Sequence, residues 1–216
     1  MRPVSASNPA IGVVVGKTQV VRLDRDQLVG IAGGERDADA ALEVFWIAFE
    51  QRPSLDAYRR LIREADAADV GERWRADARA LLQRLLVDAE RTGTQPHVQH
   101  LSATIIEVLV FEGRVEDAWR AAAERDCDQR LWMQLARARE SEHPEDAIPI
   151  YEREIEALID KKNDTGYRDA VQLMVHVESL HVRLQRRDAF ATFVERVRVT
   201  HGRKTNLMRR FDGKGW

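Results

Sequence analysis

A histidine, two carboxylates and a tyrosine lie close together in the stretch HPEDAIPIY at positions 143–151. Side chains of these types can act as an acid–base cluster or bind a metal ion. Metal ligands on a helix are three or four residues apart, whereas this histidine lies two and three residues before the acids, next to prolines. Pro144 instead suits the first position of a helix, and Glu145 and Asp146 suit its positive N-terminal end. The stretch therefore predicts the start of a helix.

A helix with this start would bury one stripe of side chains, formed by Ala147, Tyr151, Ile155 and Leu158. Pro149 falls in the second turn, where it cannot donate the backbone hydrogen bond that the helix requires. We therefore expect either a kink or a delayed helix start at Pro149.

Two pairs of histidines are further candidates for metal binding. His97 and His100 have the i, i+3 spacing that lets two imidazoles share a metal ion, provided that a third ligand comes from elsewhere. Pro96 also suits an ordinary helix start, and no Glu-x-x-His partner is visible. His176 and His181 are five residues apart, about 140° around a helix, and so do not face one site. His181 is predicted to be a packed histidine in a core or groove.

The remaining chemical candidates are also weak. The run GVVVGKT at 12–18 has three residues between its glycines, whereas a phosphate loop needs four, and all three are valines. Cys127 has acidic neighbours, whose charge disfavours a reactive thiolate. Trp119 and Trp132 lie in helical phase with alanines and leucines, which favours core positions. We predict that the chain is not an enzyme and has no cofactor and no metal site.

The composition indicates the fold class and the compartment. Alanine, leucine, arginine and acidic residues dominate, aromatic residues make up only 6%, and a hydrophobic fraction of 44% can fill a sizeable core. A single cysteine is typical of a reducing compartment, and neither a signal-like apolar run nor eighteen consecutive apolar residues occur. The sequence predicts a soluble, cytoplasmic, all-α protein without a membrane segment.

Helical periodicity begins near residue 35. Residues 1–34 are rich in glycine and β-branched residues, which predicts an irregular or partly extended leader. Residues 35–216 are predicted to form an α-helical repeat domain. Acid–alanine pairs are expected to open its helices, at Asp39, Asp56, Asp77, Asp117, Asp146, Asp169 and Asp188. Breaks between helices are expected at 52–54, 92–94, 112–114, 163–164 and 201–202.

The helices are predicted to pack as antiparallel hairpins, because the breaks between them are short and polar. The segments GRVEDAWRAAAERD (113–126) and EHPEDAIPIYEREIE (142–156) share Glu-Asp-Ala at the same helical phase, 29 residues apart. This spacing is near the period of tetratricopeptide-like repeats, although the other intervals are irregular. We therefore expect a tetratricopeptide-like α-solenoid.

The charge is unevenly distributed along the chain. Residues 183–216 contain ten Lys or Arg against three Asp or Glu, a balance of +7, whereas the whole chain carries −2. Such an end can contact nucleic acid, or it can dock on an acidic surface of its own protein or of a partner. The candidate contact residues are Arg203, Lys204, Arg209 and Arg210, on a short basic helix that could also cap the last hairpin.

Three segments carry a resemblance to a known family: PSLDAYRRLIREA (53–65), LWMQLARARESEHPEDAIPIYEREIEALI (131–159) and HGRKTNLMRRFDGKGW (201–216). Over residues 42–212 the chain resembles the helical C-terminal region of bacterial SWIM zinc-finger proteins, a region of unassigned function. The Cys-x-Cys…Cys-x-His finger of that family is absent from this sequence, which has only Cys127. The resemblance therefore implies a tetratricopeptide-like helical region but neither zinc binding nor finger-type nucleic-acid binding.

Two functions remain open from the sequence. The first is a non-enzymatic helical-repeat scaffold that binds a protein or peptide partner in its concave groove, since stacked hairpins create extended binding surfaces. The alternative is a nucleic-acid-associated module that acts through the basic C-terminal segment. The sequence does not indicate the oligomeric state.

Overall fold

The computed structural model describes residues 11–14, 20–23, 35–125 and 127–216. Two short strands, β1 (Ile11–Val14) and β2 (Val20–Leu23), pair in antiparallel register. Ten helices follow among the described residues: α1 (Glu35–Gln51), α2 (Leu55–Ala67), α3 (Gly71–Thr92), α4 (Gln95–Phe111), α5 (Val115–Glu124), α6 (Gln129–Arg139), α7 (Pro144–Asp160), α8 (Asp164–Arg183), α9 (Arg187–His201) and α10 (Thr205–Asp212).

The all-α prediction is confirmed, because every regular element described from residue 35 onward is a helix. Of the predicted leader, 1–34, the structure describes only the two strands. The rest of the leader, including residues 15–18 of the GVVVGKT run, lies outside the described residues. No helix in the described ranges combines the length and the apolar character needed to cross a membrane.

The chain divides into two compact units, Met1–Gly93 and Thr94–Trp216. In the N-terminal unit, α1 packs on α2 and α2 packs on α3. Aromatic rings fill the space between these helices: Trp46 lies 5.4 Å from Trp74 between ring centroids, and Phe49 lies 5.9 Å from Tyr58. Phe49 and Tyr58 are fully buried, so they form the centre of this unit's core.

In the C-terminal unit most helices pack against the next helix in sequence. The most extensive contacts join α7 to α8 and α6 to α7, and α8 also supports both α9 and α10. Helix α8 buries one stripe of side chains: Ala170, Met174, Val177 and His181 are buried, and Leu173 is partly buried against the same core. Their burial places α8 at the centre of the unit.

A break between helices lies at each of the five expected places, although Thr92, Asp164 and His201, at the edges of three of them, are terminal residues of helices. Short polar side chains cap several helices that follow a break: Ser54 Oγ accepts a hydrogen bond from the Ala57 N–H at 3.2 Å, and Asn163 Oδ1 accepts one from the Gly166 N–H at 2.7 Å. Gly93 and Gly113 end helices with φ of 70° and 74°, a conformation that glycine adopts without strain. Local sequence therefore determines these boundaries.

The acid–alanine rule holds for only part of the chain. Asp56, Asp117, Asp146 and Asp188 lie in the first turn of their helices. The prediction is wrong at Asp39, Asp77 and Asp169, which lie inside α1, α3 and α8. The alanines that follow two of these acids, Ala78 and Ala170, are fully buried. An acid–alanine pair therefore also fits the middle of a helix, where the alanine lies at a close helix contact. The pattern alone therefore does not locate a helix start.

The HPEDAIPIY stretch is a helix start, as predicted. Helix α7 begins at Pro144 with Glu145 in its first turn, and the stripe Ala147, Tyr151, Ile155 and Leu158 is buried. The expected delay at Pro149 is wrong, because the helix continues through this residue to Asp160. Pro149 is exposed, so its ring faces solvent and the buried stripe is not interrupted. The alternative expectation, a kink, stays a prediction.

Candidate functional site

A cleft of about 480 Å³ opens between α8 and α9 in the C-terminal unit. One face of each helix lines it, with side chains spaced three or four residues apart as the helical period requires. We call it the α8–α9 cleft and define it by Glu178, His181, Val182, Arg187, Phe190, Ala191, Val194, Glu195, Arg198, Gly215 and Trp216.

The base of the α8–α9 cleft is apolar. Phe190 and Val194 are each 6% exposed, and Val182 is 41% exposed on the opposite wall. The indole of Trp216 meets Phe190 edge to face, with the ring centroids 5.6 Å apart. Aromatic and branched side chains around an open volume provide the surface that an apolar ligand group would contact.

Polar contacts fix Trp216 at the end of the cleft. Its indole Nε1 donates to Glu178 Oε2 at 3.3 Å, and its backbone carbonyl accepts a hydrogen bond from the Arg198 guanidinium. Arg198 also pairs with Asp212 at 2.6 Å. On its other side, the indole meets Phe211 at 5.5 Å between ring centroids. Trp216 is therefore a fixed wall of the cleft.

His181 lies beneath the cleft and is 5% exposed. Neither ring nitrogen has a hydrogen-bond partner of normal geometry, and Glu152 Oε1 is 4.0 Å from Nε2. Burial lowers the pKa of His181, and the nearby Glu152 carboxylate only partly opposes this effect. The prediction of a packed histidine is confirmed, and the neutral imidazole keeps the base of the cleft uncharged.

Two charged residues stand at the rim of the cleft. Arg187 and Glu195 are both exposed, and neither side chain forms a hydrogen bond or ion pair with another described residue. They lie eight residues apart on α9, which corresponds to about 12 Å along the helix axis. The rim therefore presents one positive and one negative side chain with no intramolecular partner among the described residues.

The four predicted basic contact residues fall into two pairs. Lys204 Nζ lies 3.3 Å from Asp160 Oδ1, and Arg210 lies 2.7 Å from Asp164. Arg203 and Arg209 are exposed and have no ion-pair partner among the described residues. Half of the predicted set is thus directed at acidic groups of the same unit.

These two ion pairs belong to a longer row of polar contacts. Acids spaced four residues apart along α7 and the start of α8 meet basic side chains of the last two helices and the turn between them. The pairs are Glu152–Arg196 at 2.8 Å, Glu156–His201 at 2.6 Å, Asp160–Lys204 at 3.3 Å and Asp164–Arg210 at 2.7 Å. Three of the ten Lys and Arg residues of the basic segment, together with His201, therefore contact acids of their own unit, one of the two arrangements that the charge asymmetry allows.

A polar cluster that the sequence did not reveal surrounds Glu140. Its Oε2 accepts hydrogen bonds from Tyr151 Oη at 2.5 Å and from His176 Nε2 at 2.8 Å, and Arg183 donates to its backbone carbonyl. Burial opposes ionisation of Glu140, but these donors outweigh burial and hold its pKa below the usual value. Burial and the Glu140 carboxylate together raise the pKa of Tyr151. The cluster keeps a carboxylate ionised and joins three helices.

Arg139 forms a second buried polar contact that the sequence did not predict. It is 9% exposed, pairs with Asp146 at 2.7 Å and with Glu116, and lies 4.9 Å above the Trp119 ring. Burial opposes its charge, but the two carboxylates raise its pKa. Glu116 and Asp146 come from the two Glu-Asp-Ala segments, so Arg139 connects the repeated motifs.

The candidate metal ligands are not assembled into a site. His97 and His100 are both exposed on α4. Within the described ranges, no group of three or more His, Cys, Asp or Glu side chains is arranged to hold a metal ion. Trp119 and Trp132 meet edge to face at 5.3 Å and are partly buried against the core, in agreement with the predicted packing role.

No family model matches this chain, and no curated protein or solved structure is significantly similar to it. The resemblance to the helical region of SWIM zinc-finger proteins therefore stays a prediction.

Proposed function

We propose that this protein is a non-enzymatic helical-repeat scaffold that binds a protein or peptide partner in the α8–α9 cleft. The cleft combines an apolar base at Phe190 and Val194 with two exposed rim charges, Arg187 and Glu195, that have no described partner. Short peptides are recognised by this combination, in which apolar contact gives affinity and charge gives specificity. The proposal is based on this cleft.

The tetratricopeptide-like arrangement is part of this proposal. Two observations support it: consecutive helices pack together, and the repeated Glu-Asp-Ala motifs occupy the first turns of α5 and α7. Ala118 and Ala147, the alanines of the two motifs, are both fully buried. Equivalent residues thus have equivalent environments, as expected for a degenerate repeat. A cytoplasmic location also belongs to the proposal.

A scaffold role also accounts for these buried and half-buried polar residues without catalysis. Glu140 and Arg139 each join helices through several hydrogen bonds, and their partners belong to the same unit. Fully paired polar groups of this kind favour one helix packing over alternatives. A rigid hairpin stack keeps the cleft preformed, which lowers the entropic cost of binding.

The nucleic-acid alternative depends on Arg203 and Arg209, the two exposed members of the basic set. Lys204 and Arg210 already form ion pairs with Asp160 and Asp164. Only Arg203 and Arg209, of the four predicted phosphate contacts, have no acidic partner among the described residues. Replacing Arg203 and Arg209 by Glu tests this function. Loss of retention on DNA or RNA, with a flatter salt dependence, would favour it, whereas unchanged retention would remove it.

Affinity capture tests the scaffold function. The tagged full chain is incubated with extract of its native cell, with and without nuclease, and bound proteins are identified by mass spectrometry. The Ala191→Arg variant places a long charged side chain in the cleft at an exposed position, and Ala157→Arg makes the same change on α7 outside the cleft. Both positions are helical, where arginine is well tolerated.

The proposal predicts a protein partner that survives nuclease treatment, is lost with Ala191→Arg and is retained with Ala157→Arg. A partner retained equally by both variants would place binding elsewhere on the scaffold. Material that disappears on nuclease treatment would support the nucleic-acid alternative instead.

A further inference from the structure

The α8–α9 cleft is long enough to hold a short extended segment. Its volume is about 480 Å³, and it runs along α9 between Arg187 and Arg198. An extended chain advances about 3.3 Å per residue, so about four residues would span the distance from Arg187 to Glu195.

The charges at the rim define what such a segment must carry. Arg187 and Glu195 are exposed at opposite ends of this span and have no partner among the described residues. Opposite charges on a ligand would face each of them, while like charges would be repelled. Of the other charged residues of the cleft, Arg198 forms an ion pair with Asp212, and Glu178 accepts the indole N–H of Trp216 while keeping its negative charge on the α8 wall. Arg187 and Glu195 are therefore the two cleft charges without a partner among the described residues, and a ligand can pair with each of them.

The base of the cleft defines the central residue of the ligand. Phe190 and Val194 form an apolar surface, and the indole of Trp216 closes one end. His181 adds an aromatic ring beneath them, 5.9 Å from Phe190 between centroids, with no hydrogen bond to direct a polar ligand group. A large apolar side chain, which can stack against Trp216, complements this surface.

We infer that the α8–α9 cleft binds an extended peptide segment in which a large apolar residue lies between an acidic and a basic residue. The acid contacts Arg187, the basic residue contacts Glu195, and the apolar side chain lies on Phe190 and Val194 against Trp216. This inference rests on the proposed scaffold function and names the chemistry of its partner.

Selection from a phage-displayed library of random 12-residue peptides on the immobilised full chain tests the inference. Three charge-reversal variants are used in parallel. Arg187→Glu makes both rim charges negative, Glu195→Arg makes both positive, and Arg153→Glu is a matched control at an exposed α7 position outside the cleft. In each rim variant the charges at both ends of the cleft have the same sign. The charges expected in the selected peptides are therefore the same for either direction of peptide binding.

The wild type and Arg153→Glu are expected to enrich peptides with an apolar residue flanked by one acid and one base. Arg187→Glu should enrich bases on both sides, and Glu195→Arg should enrich acids on both sides. A synthetic peptide selected on the wild type should bind either rim variant at least about fivefold more weakly. Circular dichroism verifies that the variants keep their helix content.

Two outcomes would overturn the inference, and they differ in what they say about the scaffold. Enrichment of the same peptides on all four proteins would show that the rim does not select them, while peptide binding by the scaffold would stand. Absence of enriched peptides on every protein would contradict both the inference and peptide binding as the proposed function.

Discussion

The indole Nε1 of Trp216 donates a hydrogen bond to Oε2 of Glu178 at 3.3 Å. Two aromatic contacts, with Phe190 and Phe211, fix the same ring from both sides. This residue therefore joins α8, α9 and α10 at the point where the cleft closes. The stability of the C-terminal unit and the shape of its candidate binding site depend on the same side chain.

Replacing Trp216 by Ala should lower the free energy of unfolding by about 1–3 kcal/mol, because two ring contacts and one hydrogen bond are lost from a partly buried site. Trp216→Phe should lower it less, since the ring contacts remain and only the indole donor is removed. Urea denaturation followed by far-UV circular dichroism measures both. Equal stability of Trp216→Ala and the wild type would contradict the conclusion that Trp216 holds α8, α9 and α10 together.

Replacing His181 by Leu should reduce the loss of stability in mild acid. Burial lowers the folded-state pKa of His181 below its ordinary value of 6.5, so the folded protein binds fewer protons there than the unfolded chain. The stability associated with the neutral ring is present above pH 6.5 and is lost as pH falls through 6.5 toward the lowered value. The slope is at most about 1.4 kcal/mol per pH unit for one group.

Thermal unfolding of wild type and His181→Leu between pH 7.5 and 5 measures this difference. The wild type should lose more stability on acidification than the variant. At pH 7.5 the variant should be at least as stable, because it removes two buried nitrogens that lack hydrogen bonds. Parallel pH profiles for the two proteins would show that Glu152, at 4.0 Å, keeps the buried imidazolium stable.

Replacing Arg139 by Met should lower the free energy of unfolding by about 1–3 kcal/mol. The change keeps the volume beside Trp119 but leaves Glu116 and Asp146 without their shared partner. Arg139→Lys should be intermediate, because an ammonium cannot bind two carboxylates with the fork geometry of arginine. The matched control is Arg137→Met, at an exposed position of the same helix, which should change stability by less than about 0.5 kcal/mol.

Replacing Pro149 by Ala should raise the free energy of unfolding by about 1–3 kcal/mol. Proline lacks the N–H that would bond to the carbonyl four residues earlier, and its exposed ring contributes little burial. Denaturant titration of the variant measures the gain. A loss of stability would indicate that α7 needs a kink at this position, as the sequence allowed.

Helix boundaries were predictable where a residue with a strong local preference occupies the break. Pro53, Gly93 and Gly113 are such residues, and the helices end beside them. The breaks near Asp69 and Gln185 were not expected, because these residues have positive φ, 59° and 57°, without being glycine. Residues other than glycine adopt positive φ in only a few per cent of cases, so the sequence offers no strong signal for a break at these positions.

The candidate site was only partly predictable for a similar reason. The basic residues of the last helices were identified from the charge count, but their acidic partners lie 44 to 46 residues earlier in the chain. Such distant pairs depend on how α7 and α8 pack against the later helices. The cleft could not be predicted from the sequence. Its lining residues, such as Trp216 and His181, form no sequence motif and come together only when the helices pack.

Site-specific photo-crosslinking detects whether a partner segment occupies the α8–α9 cleft. A photoreactive amino acid replaces Ala191 inside the α8–α9 cleft or Ala157 outside it, the full chain is irradiated in native extract, and crosslinked peptides are identified by mass spectrometry. A defined partner segment, with an apolar residue between an acid and a base, should be crosslinked at 191 and absent at 157. Crosslinks of the same composition at both positions, or none at 191, would contradict peptide binding in this cleft.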